Sequence, residues 1–198
     1  MIGKRNIYLV GPMGTGKTAV GRQLARQLGV DFVDSDAQIE AVAGVDIPYI
    51  FEEEGEAGFR EREKAIIAEL TAREPVVIAT GGGAVLAPEN RHLLSSTGTV
   101  VYLETSVSQQ LQRVRGGRGR PLLKGTDLNK RLDELRAIEV AAITRPAHHR
   151  RVRPRCRSRL VAALSCHACL ERDAVVRIHP RYKRNVNRSR AAHARRIS

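Results

Sequence analysis

The residues most able to do chemistry stand together in Gly11-Pro12-Met13-Gly14-Thr15-Gly16-Lys17-Thr18. This segment fits the phosphate-loop pattern G-x-x-x-x-G-K-[ST]. Its glycines let backbone N–H groups turn inward around phosphate oxygens. The start of a helix adds a partial positive charge at the same place. Lys17 can then reach the β- and γ-phosphates of a nucleotide, and the Thr18 hydroxyl can ligate Mg²⁺. The flanks agree with this reading. Asn6-Ile7-Tyr8-Leu9-Val10 is an apolar run that predicts a buried parallel strand, and Val20, Leu24 and Leu28 recur at helical spacing. An accidental glycine-rich turn would lack both flanks.

Further along, Asp34-Ser35-Asp36 closes a second short strand, Val30 to Asp34. That is the carboxyl end of a strand, where open α/β sheets bind ligands. One carboxylate can approach a metal shell while the other accepts a proton from a substrate hydroxyl; the pair also suits the N-cap of a helix. Residues 47–72 read as helical, Ile47 to Phe51 and then Glu56 to Leu70, with Arg60 and Glu63 three apart, either paired on one face or part of a solvated charged face. Val76-Val77-Ile78-Ala79 predicts a third strand, and Gly81-Gly82-Gly83 follows it as a loop where backbone can approach a ligand, or as a plain turn. Thr99 to Leu103 predicts a fourth strand, with Glu104-Thr105-Ser106 opening a helix. An arginine-rich loop from Arg113 to Leu123 then suits a closing lid that neutralises phosphate charge, or a solvated or nucleic-acid-binding loop.

These pieces need an α/β framework, and the composition supplies one. Of 198 residues, 42% are apolar and 28% charged, and no apolar run approaches the roughly 20 residues of a membrane span. The start of the chain carries no signal-peptide pattern. These features argue against a membrane protein, a secreted disulfide scaffold or a collagen-like fibre, and predict a cytoplasmic protein. The formal charge of +13 is unevenly placed. Residues 1–144 hold 18 Lys and Arg against 19 Asp and Glu; residues 145–198 hold 16 against 2. A near-neutral body therefore carries a basic tail.

Taken in order, GPMGTGKT at 11–18, DSD at 34–36, FREREK at 59–64, GGGAV at 81–85 and GRPLL at 119–123 resemble the shikimate kinases, small P-loop kinases of aromatic amino-acid and chorismate biosynthesis. The resemblance covers about residues 5–138. It implies a three-layer α/β P-loop NTPase-type sandwich with a central parallel sheet, and phosphorylation of shikimate by ATP to shikimate 3-phosphate. Gly14, Thr15, Gly16, Lys17, Thr18 and Ala19 would hold the ATP phosphates. Thr18 would ligate one Mg²⁺, supported by Asp34. Asp36 would bind the reacting hydroxyl and act as base, with Lys17 and Arg120 assisting the transfer. Arg60 would pair with the shikimate carboxylate, oriented by Glu63, while Gly81, Gly82 and Gly83 line the substrate site and Phe51 and Phe59 wall it. The resemblance also implies a monomer. The alternatives are another small P-loop kinase, such as a gluconate kinase, or an inactive kinase remnant whose basic arm adheres to nucleic acid.

The resemblance breaks after the lid. The family's second carboxylate-binding arginine would fall near position 139, which is Glu139 here, and the Pro and Tyr expected near 141 and 143 are Ala141 and Ile143. Arg136, one helical turn earlier, is the nearest substitute. We therefore divide the chain into a kinase domain, 1–144, with its lid at about 113–125, and a tail, 145–198, read as irregular. Residues 148–159 lack a pattern that buries a strand face, and Leu160 to Leu164 and Ala174 to Ile178 are short apolar islands left unassigned. Enrichment in Arg, Cys, His and Pro is what a shifted reading frame of GC-rich DNA gives. A zinc site at Cys166-His167-Ala168-Cys169 with Cys156 has suitable ligand types but lacks a second spaced pair, and reduced thiols suit a cytoplasmic chain. The tail would adhere to polyanions without specificity.

Overall fold

A computed structural model describes residues 6–73, 75–105, 108, 110 and 137, together with the backbone of 150–152 and 174–177. The first strand, β1 (Asn6–Val10), is buried at every position. Its side chains alternate between two cores. Ile7 and Leu9 join Val20, Leu24 and Ala25 of helix α1 (Lys17–Leu28). Tyr8 and Val10 face the opposite side, toward Ile39 of α2 (Ser35–Ala43), Ile50, Phe59, Ile66, Ile67 and Leu70 of α3 (Ile47–Thr71), and Leu94 of α4 (Pro88–Thr97). A sheet covered on both faces explains why its strands read as continuous apolar runs.

The remaining strands are β2 (Asp31–Asp34), β3 (Val76–Ala79), β4 (Gly98–Glu104), β5 (Arg150–Val152) and β6 (Ala174–Arg177). They lie in the order β2-β3-β1-β4-β6-β5, and the pairs are parallel. The three-layer α/β sandwich with a central parallel sheet is therefore present. A buried amide ties its middle together. Asn6 Nδ2 donates to Tyr8 Oη and to the Thr71 carbonyl, and Asn6 Oδ1 accepts from the Val76 N–H at 3.0 Å. Among the described residues no helix is long and apolar enough to cross a membrane.

Three details differ from the sequence reading. Helix α3 spans both helical stretches of the sequence without a gap, but Gly55, just before the second, breaks it with φ 69° and ψ −172°. Glycine reaches that backbone region without a Cβ clash. The break lets Glu54 accept two hydrogen bonds from Arg62, at 2.8 and 2.7 Å; across eight residues of straight helix the rise would be about 12 Å. Glu104 closes β4 instead of opening a helix. Lastly, the tail is not wholly irregular. Ala174–Arg177 pairs with β4, Val101 opposite Ala174 through Glu104 opposite Arg177, and Arg150–Val152 pairs outside it. An edge strand needs backbone partners on one side only, and charged residues are common there, so a short Arg-Arg-Val segment can serve without an apolar pattern.

Candidate active site

The chain leaves β1 for α1 on one face of the sheet. It leaves β3 for a 3₁₀ turn (Ala84–Leu86) and α4 on the other. Neighbouring strands whose connections diverge in this way open a crevice at their carboxyl ends. Residues 11–16 line one side and residues 80–83 the other, joined at the base where the Thr80 N–H donates to the Leu9 carbonyl.

In the first loop, Gly14 and Gly16 adopt positive φ, and no side chain caps the start of α1. The start of a helix is a place where backbone N–H groups and the helix dipole favour an anion. Lys17 Nζ donates to the carbonyls of Gly11 and Pro12, at 2.5 and 3.0 Å, which lays the ammonium over the loop. Thr15 Oγ1 is buried without a partner beside them. Thr18 Oγ1 donates to Asp34 Oδ2 at 2.7 Å, while Asp34 Oδ1 accepts from the Asp36 N–H and caps α2. Asp34 is therefore the N-cap that its sequence position offered, and it also holds the Thr18 hydroxyl. A hydroxyl beside a carboxylate is a hard oxygen donor pair of the kind Mg²⁺ takes from protein, the remaining ligands being water and phosphate.

Asp36, two residues on, points elsewhere. A Cβ placed on Gly81 would lie 2.6 Å from Asp36 Oδ1 and 2.8 Å from Glu63 Oε1. Two carboxyl oxygens thus converge over the glycine, and neither has a hydrogen-bond partner. Ser35 fixes the loop beneath them by accepting the Gly81 N–H at 3.0 Å. Burial raises the Asp36 pKa, Asp34 raises it further, and Lys17 and Arg60 pull against them. Burial likewise raises that of Glu63, against the pull of Arg60. A carboxyl tuned upward is better suited to accepting a proton near neutral pH.

Arg60 sits at the far end of the same loop. A Cβ on Gly83 would fall 2.5 Å from Nη2 and 2.6 Å from Nη1, so glycine is what admits the guanidinium there. Nη1 donates to Glu63 Oε2 at 2.8 Å and Nη2 to Glu56 Oε1 at 3.1 Å. The Phe59 ring lies 5.3 Å from the guanidinium carbon and stacks 4.8 Å from Phe51. Burial opposes the charge on Arg60, but its two carboxylate partners hold its pKa above the ordinary value.

The structure thus gathers Lys17, Thr18, Asp34, Asp36, Arg60, Glu63, Gly81 and Gly83 around one crevice. Arg120, the lid, Arg136, Glu139 and the three cysteines lie outside the described residues. Two participants were missed in the sequence. Ser35 gave no signal beyond its place between two aspartates. Glu56 was visible as an i, i+4 partner of Arg60, a spacing that most often marks a solvated face.

The shikimate kinase family model matches residues 13–169, past the last of the five motifs and into the basic tail. The chain belongs to the shikimate kinase family. A shikimate kinase of Halorhodospira halophila is 62% identical over 131 residues, which cover 66% of this chain and 74% of that protein. A solved shikimate kinase from Acinetobacter baumannii, in complex with shikimate, superposes with a TM-score of 0.69 at 50% identity, covering 71% of this chain and 79% of that one. The Aquifex aeolicus shikimate kinase superposes with a TM-score of 0.65 at 31% identity, over 82% of this chain and 95% of that one. Its P-loop kinase fold is thus shared with solved shikimate kinases.

Proposed function

We propose that this shikimate kinase transfers the γ-phosphoryl group of ATP to the 3-hydroxyl of shikimate, releasing ADP and shikimate 3-phosphate. The observation that carries the reading is the loop from Gly81 to Gly83, with two carboxyl oxygens against one end and a guanidinium against the other. Two residues of chain span at most about 7 Å, the scale of a single-ring hydroxy acid. In this reading Asp36 takes the proton of the attacking hydroxyl and Arg60 receives the carboxylate, steadied by Glu63 through Nη1. Gly82 presents its backbone to the substrate. A guanidinium offers a planar carboxylate two parallel donors.

The backbone of Gly14 to Thr18 and Ala19, with Lys17, cradles the ATP phosphates, and Lys17 exchanges its loop carbonyls for phosphate oxygens. Thr18 and Asp34 would hold one Mg²⁺, which when bound neutralises phosphate charge. Arg120 on the lid at about 113–125 would add a phosphate contact. Catalysis comes mainly from placing hydroxyl and phosphorus in line and from charge stabilisation. The motif-bearing kinase domain runs to about residue 144, and the basic segment beyond it lends β6 and β5 to the edge of the same sheet. Glu139 leaves Arg60 to receive the carboxylate. The enzyme works as a cytoplasmic monomer, with a tail that adheres to polyanions without specificity. Two variants test the chemistry. Asp36→Asn should lower kcat by about 10²- to 10⁴-fold with ATP binding intact. Arg60→Ala should raise the shikimate KM by about 10-fold or more and leave the ATP KM unchanged. Near-normal kinetics in either variant would remove that residue from its role.

A further inference from the structure

Arg60 has two acidic partners, and they are unlike. Glu63 is 1% exposed and holds Nη1 with one oxygen while the other faces Gly81. It cannot withdraw without uncovering a buried ion pair. Glu56 holds Nη2 and is 54% exposed. It can rotate into water at little cost, because surface ion pairs contribute little.

The break in α3 sets this up. Gly55, at φ 69°, separates Glu54 from Glu56. Glu54 is committed to Arg62 by two hydrogen bonds, while Glu56, the first residue after the break, turns to Arg60. One guanidinium thus stands among the carboxyls of Glu56 and Glu63, with Asp36 meeting Glu63 over Gly81. An incoming carboxylate would meet a donor already engaged and a like charge beside it. Glu56 is the group able to yield.

We propose that Glu56 competes with the substrate's carboxylate for the Nη2 donor of Arg60, standing in for that carboxylate and setting the affinity of the site for acidic substrates. The inference rests on the reading of Arg60 as the carboxylate receptor.

Glu56→Gln keeps the shape and removes the charge. Shikimate is titrated calorimetrically into the full chain and the variant, at low ionic strength and in about 0.5 M salt. Without the competitor, Kd at low salt should fall about two- to fivefold, the range a surface ion pair can supply. The gain should shrink at high salt, because exposed charges are screened. Glu56→Asp, too short to span to Nη2, should tighten binding in the same direction. An unchanged or higher Kd in Glu56→Gln, or weaker binding in Glu56→Asp, would overturn the proposal and make Glu56 a bystander or a brace. Arg60→Ala separates the two readings. If it leaves Kd unchanged, the carboxylate-receptor assignment fails and this inference with it. If it weakens binding while Glu56→Gln does not tighten it, this inference alone fails.

Discussion

Gly81→Ala adds a single methyl group where two carboxyl oxygens meet. The new Cβ would lie 2.6 Å from Asp36 Oδ1 and 2.8 Å from Glu63 Oε1, where ordinary contact begins at 3.4 Å, so the oxygens must retreat by 0.8 and 0.6 Å. Glu63 is 1% exposed and tied to Arg60 through its other oxygen, and Asp36 sits in the first turn of α2. Displacing a reacting group by about 1 Å costs roughly 100-fold in rate. Gly81 is not among the glycines with positive φ, so alanine introduces no left-handed strain, and overpacking should cost about 1–3 kcal/mol of stability. We expect kcat/KM for shikimate to fall about 100-fold in an ADP-release assay, with the ATP KM near that of the parent, because the phosphate loop is untouched. Gly44→Ala is the control. Gly44 has φ 71° with nothing within 4 Å of a Cβ, so the change should cost about 1–2 kcal/mol of stability and leave kcat/KM alone. A folded Gly81→Ala enzyme within about threefold of the parent would refute the argument that the two carboxyls must converge.

Thr18→Ala removes the hydroxyl that donates to Asp34 Oδ2. The Mg²⁺ concentration for half-maximal turnover should rise by about 10-fold or more, and an unchanged Mg²⁺ titration would take Thr18 and Asp34 out of the metal shell. Glu63 gives a pH prediction. Its pKa is raised above 4.5 by burial, against Arg60, so the folded state binds this proton more tightly than the unfolded one. The stability it contributes is complete below pH 4.5 and is lost as pH rises through the raised value. Gln does not titrate, so the Tm of Glu63→Gln relative to the parent should climb across that interval; a falling difference would contradict the assignment. Removing residues 145–198 would strip β6 from β4 and leave a bare parallel edge, so we expect a lower Tm and concentration-dependent association. A monomeric truncation with an unchanged Tm would show the tail to be dispensable.

What could be read from the sequence followed from locality. β1 and β3 are buried on both faces, so each shows as an apolar run ending near a glycine, and the phosphate loop between β1 and α1 is local. Asp34 and Asp36 were ambiguous because one side chain does two jobs, capping α2 and holding Thr18. The interruption before Glu56 showed in the helical pattern, but the backbone angles of Gly55 did not, since one glycine does not announce them. The convergence of Asp36 and Glu63 on Gly81 joins three distant segments, and no spacing rule encodes it. β5 and β6 were missed for a related reason. Their pairing with β4 is long-range, and segments of three and four residues carry too little periodicity to separate a strand from an irregular stretch.

The central claim is most directly tested by ATP turnover of the 198-residue chain in Mg²⁺, with and without shikimate. We predict ADP release that depends on shikimate and matches, mole for mole, the formation of shikimate 3-phosphate. ADP release indifferent to shikimate, or none from folded protein, would contradict it.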